Sequence, residues 1–299
     1  MNSSQSSLCV RSLICHRHVE MALTCLGSLV RFSTQPLRLV IHDDGSLTKE
    51  DIARFEGELP GTRVLLRAEA DERMDEGLQN YPEARSFRSR FVYGLKLFDI
   101  PLLSEGDIAY CDSDILFLRP FFDLFCLNDP KVSALFMIDT QESYSLAPWQ
   151  LLGAAFRLPS RVNAGLIAMR KSAYDMDFIE QFIGRARFDN YAYWAEQTCY
   201  AALGYQAGCR MYDPDQVVLV DSAASITEQA VAGHFVSMRR HLLDQFVSAS
   251  KEEYQGEPVA VRTVPPQDCK VFELTKLHFR RQLGRAKANV LSRLKPVTS

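Results

Sequence analysis

The chain has 299 residues, 47% of them hydrophobic and 24% charged, with a formal net charge of −3. That balance can bury a large core and excludes a disordered or fibrous chain, and no nucleic-acid partner is expected of it. No apolar run approaches the ~20 residues of a membrane span, and Arg11, His16, Arg17, His18 and Glu20 interrupt the start before a signal-peptide core can form. The eight cysteines include no Cys-x-x-Cys pair and lie mostly in apolar segments, which favours reduced thiols in a soluble, cytoplasmic protein over a disulfide or zinc framework.

In chain order, Leu8 to Cys15 reads as a strand, and Val19, Ala22, Leu23, Leu26, Leu29 and Val30 recur at helical spacing. Leu37 to Ile41 is a strand ending in His42-Asp43-Asp44-Gly45, and Thr48 is placed to cap the next helix. Pro60-Gly61 turns the chain into a strand from Thr62 to Leu66. From Pro82, Phe87, Phe91, Leu95 and Phe98 predict one helix whose apolar stripe stops before Pro101; Arg90 and Lys96 on it either approach the phosphates of a ligand or, the reading preferred, lie on its solvated face. Strands are expected up to Asp112, over Val132 to Ile138 and over Val162 to Met169, with helices over Ser172 to Arg185 and Trp194 to Leu203. This alternation predicts an α/β fold, a mostly parallel sheet flanked by helices. The division expected is a catalytic domain over 1–250 and a basic helical segment over 251–299.

The run Ile108 to Leu118 places Asp112 and Asp114 at the abrupt, exposed end of an apolar strand. Carboxylates one residue apart can both reach one hard divalent cation, which completes its shell with phosphate oxygens. With twenty Asp, about one Asp-x-Asp is expected by chance, and context separates the three present. Asp175-Met176-Asp177 reads as a helix start and Asp213-Pro214-Asp215 as a turn. Only Asp112-Ser113-Asp114 sits where open α/β sheets gather their ligands.

Four features in order carry a resemblance: Asp112-Ser113-Asp114, Val162-Asn163-Ala164-Gly165-Leu166, Glu196-Gln197, and Gly233-His234-Phe235 followed by Arg240. Together they resemble the GT-A-fold glycosyltransferases, family 8 most of all, over about Leu8 to Arg240. The resemblance implies a nucleotide-diphospho-sugar donor, a UDP-sugar above all, and transfer with retained configuration to a glycan or lipid-linked acceptor. It implies a manganese or magnesium ion held by Asp112, Asp114 and His234. Asn163 and Gly165 would face the donor sugar, Arg240 would contact the diphosphate where the family has a lysine, and Gln197 would lie nearest the reacting carbon. Glu196 stands where the family has Asp and reads equally as a first-turn helix acid. Asp139, at another strand end, can point into the same crevice. A histidine beside two carboxylates tilts the metal toward manganese.

Two other readings stay open. Asp112 to Leu116 is also similar to the first motif of haloacid-dehalogenase phosphatases, although Leu116 stands where Thr or Val is usual. A non-catalytic nucleotide-sugar-binding protein would be marked by nucleotide binding indifferent to metal. Finally, 270–299 holds eight basic residues against Glu273 alone, net +7, interleaved with apolar residues. Such a segment suits peripheral contact with an anionic membrane, and suits equally a solvated helix packed on the domain.

Overall fold

The computed structural model describes residues 7–152, 156–186, 188, 192–251, 254 and 256–293; Leu294 and Lys295 of the basic segment lie outside them. Thirteen strands are present among these residues: β1 Leu8–Ile14, β2 Leu37–Asp43, β3 Arg63–Leu65, β4 Ile108–Cys111, β5 Ile115–Phe117, β6 Phe121–Phe122, β7 Ala134–Ile138, β8 Val162–Met169, β9 Cys209–Tyr212, β10 Val217–Leu219, β11 Ala232–His234, β12 Val259–Ala260 and β13 Thr263–Val264. The α-helices are α1 Val19–Phe32, α2 Lys49–Glu58, α3 Arg67–Gly77, α4 Pro82–Arg90, α5 Tyr93–Leu102, α6 Pro148–Leu152, α7 Met176–Arg185, α8 Ala195–Ala207, α9 Asp244–Lys251 and α10 Val271–Arg293.

Eight strands form the central sheet in the order β13-β9-β7-β8-β4-β1-β2-β3. Six share one direction, while β8 and β13 run against their neighbours. One face packs on α1 and α2 through Leu26, Leu29 and Phe55, and the other on α4, α5, α7 and α8 through Phe87, Phe98, Phe182 and Tyr200. All eight residues of β8 are buried, as expected of a strand covered on both faces. A small sheet, β10-β11-β5, stands beside the large one, with β5 and β11 antiparallel. β12 pairs with β6 and β13 with β9, so chain beyond 250 enters both a short ladder and the main sheet.

Local chemistry explains most elements. Thr48 and Asp51 close a capping box on α2, and Asp175 caps α7 by accepting from Phe178 N. The single helix expected from Pro82 is two. Phe91 is extended (φ −127°, ψ 125°) and breaks it. The two pieces then cross so closely that a Cβ on Gly94 would lie 2.6 Å from Arg88 Cα. Pro101 lies inside α5, not beyond it. It cannot donate to the carbonyl of Leu97, and that acceptor takes the Tyr174 hydroxyl at 2.6 Å instead. All eight cysteines are free thiols. No helix of the described residues is long and apolar enough to cross a membrane.

Candidate functional site

β4 ends at Cys111, and Asp112-Ser113-Asp114 turns the chain out of the large sheet into β5 of the small one. β5 pairs with β11 so that Ile115 lies opposite His234, and Phe235 N donates to Asp114 O at 2.9 Å. This pairing brings a histidine 120 residues away against the acidic turn. One ligating atom from each of Asp112, Asp114 and His234 lies within 4.8 Å of the others. His234 Nε2 is 3.1 Å from Asp114 Oδ1 and 3.8 Å from Asp112 Oδ2. Two carboxylates and an imidazole converging on one point are a donor set that fits a divalent cation of the manganese or magnesium type.

Asp114 is not the exposed group its strand-end position suggests; it is 4% exposed. Arg240 grips its Oδ2 with Nε at 3.0 Å and Nη2 at 2.7 Å. Burial alone would raise the Asp114 carboxyl, but His234 and Arg240 outweigh it and bring it down to about 2. Arg240 Nη1 also donates to His18 Nε2 at 2.8 Å. Burial and the Arg240 charge lower the His18 imidazole, so it stays neutral and accepts.

Asp112 is fixed from the other side. Tyr110, two residues back on the same strand face, donates its hydroxyl to Asp112 Oδ1 at 2.5 Å. Lys96 lies 3.3 Å from the same oxygen and 3.4 Å from Glu196 Oε1. Lys96 is therefore buried inside the site and not on a solvated face. The break between α4 and α5 rotates it inward. Burial would lower its pKa, yet Asp112 and Glu196 raise it above the usual lysine value. Glu196 is pushed up to about 7 by burial, with Asp112 adding to the shift and Lys96 opposing it.

The inner wall comes from β8. Phe136 and Met137 of β7 pair with Ile167 and Asn163, so residues 164–166 bulge from this ladder. Such a bulge re-aims side chains. Asn163 Oδ1 accepts from Gly165 N at 2.9 Å, and its amide faces Asp139 Oδ2 at 3.5 Å. Gln197 clamps the bulge: its Oε1 accepts from Ala164 N at 3.2 Å and its Nε2 donates to Ser143 O at 2.9 Å. Gly165 gives His234 its room, since a Cβ there would lie 2.3 Å from His234 Cε1 and 2.9 Å from Asn163 Oδ1.

These groups line one cleft of about 720 Å³. Asp112, Asp114, Asp139, Asn163, Gly165, Glu196, Gln197, His234 and Arg240, singled out in the sequence from separate segments, all border it. No family model matches the chain, and no curated protein sequence matches it. Solved structures do. Mouse xyloside xylosyltransferase 1 superposes with TM-score 0.54 at 13% identity, over 76% of this chain and 97% of that one. The galactosyltransferase LgtC, solved with donor and acceptor sugar analogues, gives 0.53 at 10% identity over 83% and 98%. The bifunctional glycosyltransferase WbbM gives 0.59 at 10% identity over 84% of this chain and 51% of that one.

The fold is that of the GT-A glycosyltransferases.

At this identity the likeness is one of fold, and the cleft of this GT-A domain rests on its own residues. Sequence reasoning assigns no role to Tyr110 and His18, and for Lys96 it prefers the solvated face over the approach to the site that the structure shows. His18 had a usable signal, because it follows the first strand of an α/β sheet, at the end where ligands bind. The preference for the solvated face failed at Lys96 because its inward turn depends on a helix break at Phe91 that the apolar stripe conceals.

Proposed function

We propose that the protein is a metal-dependent glycosyltransferase of the family 8 kind, moving a sugar from a nucleotide-diphosphate donor, a UDP-sugar, to a glycan or lipid-linked acceptor with retention. The observation that carries this reading is the convergence of Asp112, Asp114 and His234 within 4.8 Å in a GT-A cleft that also holds Arg240. Those three residues would hold Mn²⁺ or Mg²⁺, which when bound offsets the charge that develops on a leaving diphosphate. Arg240, held by Asp114 and His18, is assigned to the diphosphate as the cation at the same end of the cleft. Asn163 and Asp139 are assigned to the donor sugar, the Asn163 amide donating to a hydroxyl and the Asp139 carboxylate accepting from one. Gln197 holds the β8 bulge and faces the same space as Glu196, so both are assigned to the reacting end. In this reading 1–250 carries the donor site.

The exposed side of α10 bears Phe272, Phe279 and Leu283 beside Lys276 and Arg280, while Leu274, His278 and Arg281 on the other side are buried. We assign that outer side to an anionic membrane at the cytosolic face, which would present a lipid-linked acceptor. The test of the function is a panel of nucleotide sugars incubated with pure protein and Mn²⁺, Mg²⁺ or EDTA. Metal-dependent release of nucleoside diphosphate is expected. Release of inorganic phosphate instead would favour a phosphatase, and metal-indifferent nucleotide binding without turnover would favour a binding protein.

A further inference from the structure

The two carboxylates of the metal site divide their oxygens in the same way. Asp112 takes the Tyr110 hydroxyl on Oδ1 at 2.5 Å, and Lys96 lies 3.3 Å from Oδ1 and 3.4 Å from Oδ2. Its less encumbered Oδ2 is the one 3.8 Å from His234 Nε2. Asp114 gives Oδ2 to Arg240, 3.0 Å from Nε and 2.7 Å from Nη2, and keeps Oδ1 for His234 Nε2 at 3.1 Å. Asp112 Oδ2, Asp114 Oδ1 and His234 Nε2 are therefore the atoms on the ligating side, and each carboxylate carries a cation of its own at its back.

Those cations change what the site can hold. Lys96 and Asp114 are buried, and Asp112 and Arg240 are half-buried, so water screens these pairs less than it would on an open surface. An imidazole ligates as the neutral ring and brings no charge. The charges of Asp112 and Asp114 are offset by Lys96 and Arg240, so the three converging groups meet a divalent ion with no net negative charge. Glu196, in contact with Lys96 at 3.4 Å, and Asp139, bonded to Gln141 N at 3.2 Å, lie outside the converging set. Affinity for a hard divalent ion rises with the charge of its ligands. The charge withheld by the side chains must then come with the ligand, and a diphosphate brings it on oxygens that also complete the shell.

We propose that Lys96 and Arg240 are counter-cations that hold off the bare ion, so that the site takes the metal together with a diphosphate and not by itself. This rests on the glycosyltransferase reading. Arg240 acts in two directions from one position: it opposes the ion alone and favours the ion that carries a diphosphate.

The test titrates Mn²⁺ into the full chain and follows the paramagnetic resonance signal of the free ion, without nucleotide and with saturating UDP or UMP. Wild type should bind Mn²⁺ about 30-fold or more tightly with UDP than without, with little gain from UMP. By linkage Mn²⁺ raises UDP affinity by the same factor, which calorimetry reads. Removing a unit charge beside a divalent ion is worth about tenfold or more. Arg240→Met should therefore bind Mn²⁺ alone about tenfold more tightly than wild type while its UDP affinity falls, and Arg240→Lys, which keeps the charge, should follow wild type in both. Lys96→Gln leaves Asp112 a hydrogen-bond donor without a charge, and it should bind the bare ion more tightly or gain Tm from Mn²⁺ alone.

Wild type binding Mn²⁺ equally well with and without UDP overturns the proposal and leaves the glycosyltransferase reading standing. A bare-ion affinity in Arg240→Met no higher than in wild type, or one as high in Arg240→Lys as in Arg240→Met, overturns the role of the Arg240 charge. A Lys96→Gln protein that neither binds the bare ion more tightly nor is stabilised by it overturns the role of Lys96. Wild type that binds no Mn²⁺ even with UDP overturns the metal-dependent reading itself, and the proposal with it.

Discussion

Gly165→Ala tests the metal site without touching any of its ligands. The new Cβ would lie 2.3 Å from His234 Cε1 and 2.6 Å from Nδ1. An ordinary contact begins near 3.4 Å, so the imidazole must retreat by roughly 1 Å. His234 is 3% exposed and rises from β11, so there is little slack to absorb the shift. Overpacking of this kind costs about 1–3 kcal/mol, which for a domain of this size lowers Tm by roughly 2–10 °C. The larger effect falls on the metal. A ligand moved off its position typically costs about 10–100-fold in metal affinity. The assay is a Mn²⁺ titration of UDP binding by calorimetry, run beside a thermal melt. Gly57→Ala in α2 is the control, because a Cβ there meets nothing within 4 Å and alanine is the better helix former. If Gly165→Ala binds Mn²⁺ and UDP like wild type, His234 does not work from where the structure puts it. Asp114→Asn is a poorer test, because that buried carboxylate holds both Arg240 and His234, and its loss mixes stability with ligation.

The pKa of Glu196 gives a signed pH dependence: folding raises it from 4.5 to about 7, so its contribution to stability is complete below about pH 4.5 and is lost as pH rises through about 7. Glu196→Gln should remove that slope from the Tm–pH profile, and an unchanged slope would place the titration elsewhere. Lys96→Met strands Asp112 and Glu196 without their internal cation and should cost about 3–5 kcal/mol in urea unfolding; a loss under about 1 kcal/mol would mean the ion pairs are not formed in solution. Arg240→Ala should weaken nucleoside diphosphate by about 1.5–3 kcal/mol and nucleoside monophosphate far less, and equal losses would remove Arg240 from the diphosphate. Phe272→Glu combined with Phe279→Glu, at side chains 69% and 61% exposed, should abolish sedimentation with phosphatidylserine vesicles while donor hydrolysis continues. Wild-type sedimentation should itself fall as salt rises, and persistence of binding in the double variant would move the membrane face elsewhere.

The sequence by itself determined the elements whose chemistry is local. The β1, β2, β4, β7 and β8 runs are continuous and apolar because both sheet faces are covered, and Thr48, Asp175 and the Asp213-Pro214-Asp215 turn satisfy backbone groups within a few residues of themselves. The acidic turn at Asp112 was legible for the same reason: two carboxylates at the end of a buried strand have no packing role to explain them. Tertiary structure decided what depends on distance and rotation. The pairing of β5 with β11 sets His234 against Asp114, the break at Phe91 turns Lys96 inward, and the bulge in β8 aims Asn163 into the cleft. It also decided that α10 lays Leu274 and Arg281 on the domain while leaving Phe272 and Phe279 outward. The +7 segment shows none of this in its composition, because charge and hydropathy along a helix are local quantities. Which side is covered is settled only by the surface it meets.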